Sequence, residues 1–230
     1  MTERFTYDAI ADRYAAEVDA NPQNAFYERP AVLSVLPPIE GRRVLDVGCG
    51  SGWYAEHLVQ AGAQVTAFDA APRFVKLTRG RVGFGAHVLK ADLAEPLDFA
   101  PGAAFDLVLC PLVLHYVRDW APVLAEFRRV LRPGGILVFS THHPFTDWQQ
   151  FEREDYFATE LLTDEWSCGT VRFFRRSLSA MTNALAEAGF VMERLVEPRP
   201  TDEYRQQNPE WYEKLMRTPW FIVVRARRDG

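Results

Sequence analysis

Three histidines and several acidic residues follow apolar stretches of the sequence, where their side chains could take part in chemistry. His115, His142 and His143, three of the five histidines, come just after two apolar runs. Imidazole titrates near neutral pH and can accept a proton from a substrate, so these are the candidate catalytic residues. A structural hydrogen bond is an open alternative for each. We expect one of His142 and His143 to face a cleft and the other to face the core.

A glycine-rich stretch, VLDVGCGSG, places Gly48, Gly50 and Gly52 directly after an apolar run. Glycine lets the backbone turn sharply and approach a ligand closely. A dinucleotide-binding loop would read G-x-G-x-x-G, whereas Trp53 stands here where that pattern needs a small residue. A tight turn without a ligand is the alternative, but it does not account for the acids that follow the next two apolar runs.

Those two acids suit a nucleoside. Asp69 lies twenty-one residues beyond Gly48, where a carboxylate can accept hydrogen bonds from both hydroxyls of a ribose. Asp92 follows the third run and can accept from an exocyclic amino group, while the N–H of Leu93 can reach a ring nitrogen. The sequence therefore predicts a nucleoside site without a phosphate cradle.

Short apolar runs alternate with helix-like stretches, and this alternation predicts a parallel sheet covered by helices on both faces. A turn that ends a helix is predicted at 131–135, and helical structure is predicted between the last two strands. The final strand lacks a clear preceding crossover helix, so it could pair antiparallel at the edge. The predicted strands cover 42–50, 63–70, 86–93, 105–114, 136–143, 190–199 and 220–228.

Length and composition exclude several classes of protein. A chain of 230 residues fits one domain of ordinary size, and its net charge of -5 argues against broad nucleic-acid binding. No apolar run is long enough to span a membrane. Cys49, Cys110 and Cys168 lie far apart without C-x-x-C spacing, which disfavours disulfides and zinc and favours a reducing cytoplasm. The histidines have no acid or cysteine at ligand spacing, so no metal site is expected.

Taken together, VLDVGCGSG, the positions of Asp69 and Asp92, FDLVLCPLVLHYV and LRPGGILVFS resemble the class I S-adenosylmethionine-dependent methyltransferases. The similarity is closest to the type 11 group, which includes ubiquinone and menaquinone biosynthesis enzymes, and it covers residues 5–140. The resemblance implies an α/β, Rossmann-like fold. Its seven-stranded sheet would have the order 3-2-1-4-5-7-6, with strand 7 antiparallel and helices on both faces.

The resemblance also implies a site for S-adenosyl-L-methionine, with S-adenosyl-L-homocysteine as the product. The glycine loop would wrap the methionine end, Asp69 would hold the ribose, and Asp92 would hold the adenine. A tyrosine of the N-terminal segment, Tyr14 or Tyr7, would reach the cofactor carboxylate, which Arg29 could also pair with. The implied cofactor-binding residues are Tyr14, Asp46, Gly48, Cys49, Gly50, Gly52, Asp69, Ala70, Asp92, Leu93 and Cys110, the last through its carbonyl.

The chain is expected to form one methyltransferase domain with four parts. These are an N-terminal helical lid (1–40), a cofactor-binding core (41–143), a substrate-side insert (144–176) and a C-terminal helix with two strands (177–230). The insert is rich in aromatic residues, which could line a pocket for a flat or apolar acceptor or pack as a satellite core. Aromatic faces favour a cationic acceptor, whereas Arg172, Arg175 or Arg176 favours an anionic one.

The expected reaction is in-line transfer of a methyl group to an O, N or C nucleophile of a small molecule, in which the protein mainly positions the reactants. Methylation of RNA or of a protein is one alternative, and a non-catalytic S-adenosylmethionine-binding protein is another. A nicotinamide oxidoreductase is the fourth interpretation. The protein is expected to act in the cytoplasm as a monomer or homodimer, with no nucleic-acid or membrane partner.

Overall fold

A computed structural model describes residues 11–230, so Tyr7 lies outside the described part of the chain. The strands are β1 (Arg43–Val47), β2 (Gln64–Asp69), β3 (Ala86–Lys90), β4 (Phe105–Pro111), β5 (Leu131–His142), β6 (Glu160–Trp166), β7 (Gly169–Arg175), β8 (Phe190–Val196) and β9 (Phe221–Arg228). The α-helices are α1 (Ala11–Val18), α2 (Arg29–Val35), α3 (Trp53–Gln60), α4 (Pro72–Val82), α5 (Trp120–Val130), α6 (Pro144–Gln150), α7 (Leu178–Glu187), α8 (Asp202–Gln207) and α9 (Pro209–Leu215).

Seven strands form one sheet in the order β3-β2-β1-β4-β5-β9-β8. The strands β1 to β5 pair in parallel, whereas β9 is antiparallel to both β5 and β8. Once β6 and β7 are set aside, the predicted order 3-2-1-4-5-7-6 and the antiparallel last strand are confirmed.

The sheet is covered on both faces because successive residues of its strands point in opposite directions. Val44 of β1 belongs to a buried cluster with residues of α2 and α3. The next residue, Leu45, belongs to a second cluster with residues of α5 and α7. Buried strands of this kind explain the nearly continuous apolar runs of the sequence.

The segment 131–135 differs from the predicted turn. Helix α5 ends at Val130 as expected, but β5 already begins at Leu131, which pairs with Phe105. The next pair joins Leu107 to Ile136, so the residues between form a bulge, with Gly134 at a φ of 70°. A bulge needs the same glycine and proline residues as a turn, and the local sequence does not distinguish the two.

A separate hairpin of β6 and β7 was not predicted within the insert. One of its faces buries Leu162, Val171 and Phe173, while the intervening residues are largely exposed. Arg175, which is fully buried, donates to the carboxylate of Glu160 and so joins the open ends of the two strands. Among residues 11–230, no helix has the length and apolar character needed to cross a bilayer.

Candidate functional site

A large cavity of about 1660 Å³ lies at the carboxyl ends of the parallel strands. Its walls include residues that follow successive strands: Gly48 after β1, Asp69 at the end of β2, Asp92 after β3, Leu112 after β4 and His142 at the end of β5. Pockets for small ligands typically enclose about 300–1,000 Å³. The cavity is therefore large enough for two ligands side by side.

The glycine loop packs too closely for larger residues. Gly48 has a φ of 65°, and a Cβ added there would lie 2.4 Å from Val113 Cγ2. Gly52, at a φ of 89°, begins α3, and an added Cβ would lie 3.0 Å from the backbone of Thr78. The loop therefore depends on glycine both for its positive φ angles and for its close contacts.

Asp69 fixes the loop from the neighbouring strand. Its Oδ2 accepts from the backbone N–H of Gly50 at 3.0 Å, and its Oδ1 accepts from the N–H of Ala71 at 2.9 Å. Each carboxylate oxygen can accept more than one hydrogen bond. Asp69 and the adjacent Ala70 line the cavity together with Gly48 and Gly50.

The wall after β3 is partly apolar. Asp92 Oδ1 accepts from the N–H of Ala94 at 2.9 Å, which shapes a tight turn. Asp92 and Leu93 both line the cavity, and Phe68 and Phe74 line it as well. A flat ring placed here would have apolar side chains on its faces and polar groups at its edge.

Asp46 is fully buried on β1, and neither of its carboxylate oxygens has a hydrogen-bond partner among residues 11–230. Burial, with a smaller contribution from the charge of Asp69, raises the pKa of Asp46 to about 7. A buried polar group without a partner is rare, and it commonly marks a place for a ligand or water. The Asp46 carboxylate therefore fits a nearby hydrogen-bond donor.

Three other expected cofactor residues lie behind the cavity wall. Cys49, Gly52 and Cys110 are absent from its lining, and both thiols are buried and unpaired with any other cysteine. The N–H of Cys49 donates to the carbonyl of Phe68 at 3.0 Å, which ties the loop to β2. These residues shape the loop and the strand ends through their backbone.

Two of the three candidate histidines are brought together at the cavity. The rings of His115 and His142 stack with centroids 4.3 Å apart, and both residues line the cavity. His115 Nδ1 lies 3.3 Å from Thr141 Oγ1, whereas its Nε2 has no partner in the described part of the chain. Burial lowers the pKa of His115 well below its usual range and that of His142 to about 4.

His143 is not brought to the cavity. Its Nε2 lies 2.9 Å from Glu197 Oε1, and its backbone N–H donates to the carbonyl of Trp220. These contacts hold the end of β5 against the segments that flank the C-terminal helices. The contacts of His143 therefore stabilise the end of β5, and its side chain lies away from the cavity wall formed by His115 and His142.

Comparisons with known proteins address the identity of this site. The family described as a methyltransferase domain of type 11 matches residues 45–139, which include the glycine loop, Asp69, Asp92 and most of β5. Residues 45–139 therefore form a methyltransferase domain of the type 11 family. S-adenosylmethionine is the cofactor of this methyltransferase. The glycine cradle fits it, and so does the Asp46 carboxylate, which has no partner among residues 11–230.

Individual relatives agree with this family. A ubiquinone biosynthesis O-methyltransferase of Xanthomonas oryzae is 40% identical over 146 residues, which span 61% of each chain. An S-adenosylmethionine-dependent methyltransferase structure from Mesorhizobium loti is 29% identical, with a TM-score of 0.72, and the match covers 87% of this chain and 97% of that one. A methyltransferase structure from Listeria monocytogenes shares the fold, with 21% identity, a TM-score of 0.78 and coverage of 88% and 97%.

One side chain that sequence analysis missed faces His142. Asp147 lines the cavity, and its Oδ1 lies 3.7 Å from His142 Nδ1. Burial raises the pKa of the Asp147 carboxyl to about 8. The sequence could have indicated this residue through Pro144, because proline commonly occupies the first turn of a helix. A helix that begins at Pro144 places Asp147 in its first turn, just beyond β5.

The N-terminal candidates have different environments. Tyr14 lines the cavity and packs its ring edge-on against Phe74, 5.7 Å away. Arg29 is buried outside the cavity lining, where it donates to the carbonyl of Val18 at 3.1 Å and lies 4.2 Å over the ring of Trp53. Arg29 thus joins the end of α1 to α2 and α3.

The three arginines of the insert differ in their exposure and in whether they line the cavity. Arg172 lines the cavity and is exposed. Arg175 and Arg176 are buried instead. The latter donates to the carbonyl of Val117 at 2.6 Å and covers the ring of Trp120.

The aromatic residues of the insert are divided in the same way. Trp166 and Phe174 line the cavity, whereas Phe173 packs edge-on against His142 with centroids 4.3 Å apart. Phe145 and Phe157 are half or more exposed. Some aromatic residues therefore lie at the cavity while others form a satellite core. No cluster of three or more metal-ligating side chains occurs within residues 11–230.

Proposed function

We propose that this methyltransferase transfers the methyl group of S-adenosylmethionine to an O, N or C nucleophile of a small molecule. The observation that carries the proposal is the continuity of the cavity. Its lining includes Gly48 and Asp69 as well as His142 and Trp166. A cofactor held at the glycine loop and an acceptor held near His142 would share one enclosed space, as direct transfer requires.

We call the part of the cavity next to the glycine loop the cofactor half, and each predicted cofactor-binding residue is assigned a role there. We assign the methionine end to the loop of Gly48, Cys49, Gly50 and Gly52, with Asp46, the Cys110 carbonyl and Tyr14 around its polar groups. Asp69 and Ala70 would hold the ribose, and Asp92 and Leu93 would hold the adenine. When bound, S-adenosylmethionine supplies a methyl group already activated on a sulfonium, so the remaining task of the protein is alignment.

The part of the cavity around His142 is assigned to the methyl acceptor, and we call it the acceptor half. Trp166, Trp211, Trp220 and Phe221 also line the cavity, and they offer apolar faces to a flat acceptor. We propose that the described part of the predicted lid, residues 11–40, covers the cavity and that 144–176 form the substrate-side part of a single domain. Tyr14 and Glu17 of α1 and the tip of the hairpin lie on the lining and support this assignment.

A small acceptor is favoured over RNA because the net charge is -5 and the cavity lining carries several carboxylates. The three cysteines are buried and unpaired, which is compatible with a reducing cytoplasm. A monomer or homodimer would suffice, since every assigned residue belongs to one chain.

Calorimetric titration with S-adenosylmethionine, S-adenosylhomocysteine and NADH tests the cofactor assignment. We expect both S-adenosyl compounds to bind with similar affinity and NADH not to bind. Incubation of a metabolite extract with methyl-deuterated S-adenosylmethionine, followed by mass spectrometry, would then identify the acceptor. Binding without label transfer to any metabolite, RNA or protein would indicate a non-catalytic cofactor-binding protein, and binding of NADH alone would refute the proposal.

A further inference from the structure

His142 and Asp147 form an isolated polar pair in the wall of the acceptor half. The Nδ1 of His142 lies 3.7 Å from Asp147 Oδ1, within ion-pair distance but longer than a hydrogen bond. Neither ring nitrogen of His142 hydrogen-bonds to another residue in the described range 11–230. Both residues line the cavity, and both side chains are largely buried, with 12% and 11% of their surfaces exposed.

The ring of His142 is held in place by its neighbours. It stacks on His115 and meets the edge of Phe173, each with ring centroids 4.3 Å apart. Phe221 and Trp166 lie slightly farther away, at 6.0 and 6.2 Å. These contacts restrict the ring to one plane, so the side of the ring next to Asp147 is fixed by packing rather than by chance rotation.

Few other charges reach the pair. His115 faces His142 from the turn after β4, and Arg176 acts on His115. Arg175 of β7 and Asp164 of β6 act on Asp147, with opposite effects on its pKa. The guanidinium of Arg175 is bonded to Glu160, and Asp164 Oδ2 accepts from Trp166 Nε1 at 3.0 Å. Asp147 is the acid that the structure places within ion-pair distance of His142.

We propose that His142 takes a proton from the methyl acceptor and that Asp147 is the positioning residue that orients its imidazole and stabilises the resulting imidazolium. This inference rests on the proposed function. It narrows the acceptor to a molecule whose nucleophilic atom carries a hydrogen at the start, such as a hydroxyl or a protonated nitrogen.

The step balances without a further reactant. The acceptor heteroatom forms a bond to the methyl carbon, the bond between that carbon and sulfur breaks, and its electron pair stays on sulfur. The hydrogen of the acceptor leaves as a proton to His142 Nε2. The imidazolium charge is then compensated by the carboxylate of Asp147, in the manner of a histidine oriented by an acid. Release of this proton to solvent restores the pair.

The two ionisation states of Asp147 would select different tautomers of His142. A protonated Asp147 is a donor and leaves the ring hydrogen on Nε2, where it blocks proton uptake. An ionised Asp147 is an acceptor and holds the ring hydrogen on Nδ1, which leaves Nε2 free as the base. Because burial raises the pKa of Asp147 to about 8, the switch is expected as the pH rises through about 8.

Nuclear magnetic resonance of protein labelled with ¹⁵N in its histidine rings tests this directly, without any acceptor. The resonances of His142 are assigned from their loss in His142→Gln. We expect the hydrogen of His142 to move from Nε2 to Nδ1 between about pH 7 and 9, which is one tenfold step of ionisation on either side of about pH 8. In Asp147→Asn the switch should be absent, and in Asp147→Glu it should return.

Asp202→Asn, which removes an exposed acid at the start of α8, is the matched control and should retain the switch. An unchanged switch in Asp147→Asn, or no switch in the wild type, would overturn the inference. Because this readout needs neither cofactor nor acceptor, failure of S-adenosylmethionine to bind would refute the proposed function while leaving the pairing result intact.

Activity provides a second readout once an acceptor has been identified. His142→Gln should lower kcat roughly 10²–10⁴-fold, the usual contribution of a general base. Asp147→Asn should lose the rise in kcat with pH while binding S-adenosylmethionine with wild-type affinity. An acceptor whose nucleophile carries no hydrogen, or a pH profile in Asp147→Asn that matches the wild type, would contradict the proposed proton transfer.

Discussion

The backbone N–H of Gly50 donates to Asp69 Oδ2 at 3.0 Å, so the loop after β1 and the acid at the end of β2 are joined directly. The other oxygen of Asp69 accepts from the N–H of Ala71 at 2.9 Å. One carboxylate therefore orders two backbone segments that line the cavity. Its proposed role toward a ribose is combined with a structural role in shaping the glycine loop.

Replacement of Asp69 by alanine should weaken S-adenosylmethionine binding. Loss of a buried acceptor costs about 1–3 kcal/mol, which corresponds to a dissociation constant about 5- to 150-fold higher. Asp69→Asn retains one acceptor oxygen and should give an intermediate loss, and Asp98→Ala, at an exposed acid, should give none. Calorimetry measures all three, and an unchanged dissociation constant in Asp69→Ala would exclude a ribose contact.

Gly48→Ala should destabilise the fold more than the same change at a roomy glycine. The new Cβ would lie 2.4 Å from Val113 Cγ2, and φ is 65°. Overpacking costs about 1–3 kcal/mol and a positive φ about 1–2 kcal/mol, so the free energy of unfolding should fall by about 2–5 kcal/mol. Urea denaturation measures the loss.

Gly134→Ala is the matched control for this change, since φ is 70° there and nothing lies within 4 Å of an added Cβ. It should lose only the backbone contribution of about 1–2 kcal/mol. Adding Val113→Ala to Gly48→Ala should recover part of the lost stability. Equal losses in the two single glycine variants would show that the contact with Val113 is unimportant.

Regular sequence patterns account for what could be predicted. The parallel sheet followed from apolar runs separated by helical stretches, and the glycine loop followed from three glycines after the first run. The order of the strands followed only from the resemblance to a known family. The hairpin of β6 and β7 was missed because β6 has only one fully buried residue, Leu162, and so shows weak alternation. Its partner strand is stabilised from outside the hairpin, by the contact of Phe173 with His142.

The relationship between His142 and Asp147 also escaped prediction. It depends on the direction in which α6 leaves the end of β5, which is set by packing and not by local residue preferences. The same holds for Arg29, whose guanidinium bonds to carbonyls at the end of α1 rather than lining the cavity. Such contacts join segments whose relative placement is decided only when the whole core forms.

Asp46→Asn should raise the stability of the protein above neutral pH and weaken its binding of the cofactor. Burial raises the pKa of Asp46 to about 7 in the folded chain, from about 3.9 for an unperturbed carboxyl. A raised folded pKa gives stability that is complete below the unfolded pKa and lost as the pH rises through about 7. The full loss approaches about 4 kcal/mol, at 1.36 kcal/mol for each pKa unit.

The asparagine variant lacks this loss, so its free energy of unfolding should exceed that of the wild type at pH 8 and match it more closely at pH 5. The pH dependence should be reduced rather than abolished, because Asp147 also has a raised pKa, of about 8. Binding of S-adenosylmethionine should weaken in the same variant. Chemical denaturation at several pH values provides the test, and parallel stability profiles for the two proteins would contradict it.

A side-chain hydrogen bond connects the tip of the hairpin to α1, from Ser167 Oγ to Glu17 Oε2 at 2.7 Å. Both residues line the cavity, so Ser167→Ala should loosen the proposed lid and speed cofactor release. A hydrogen bond contributes about 0.5–1.5 kcal/mol, so the dissociation rate should rise about 2- to 12-fold. Thr170→Ala removes a bond to Glu165 within the same hairpin and should leave the rate unchanged. Stopped-flow fluorescence compares the two variants, and equal rates would mean that the tip does not restrain the cofactor.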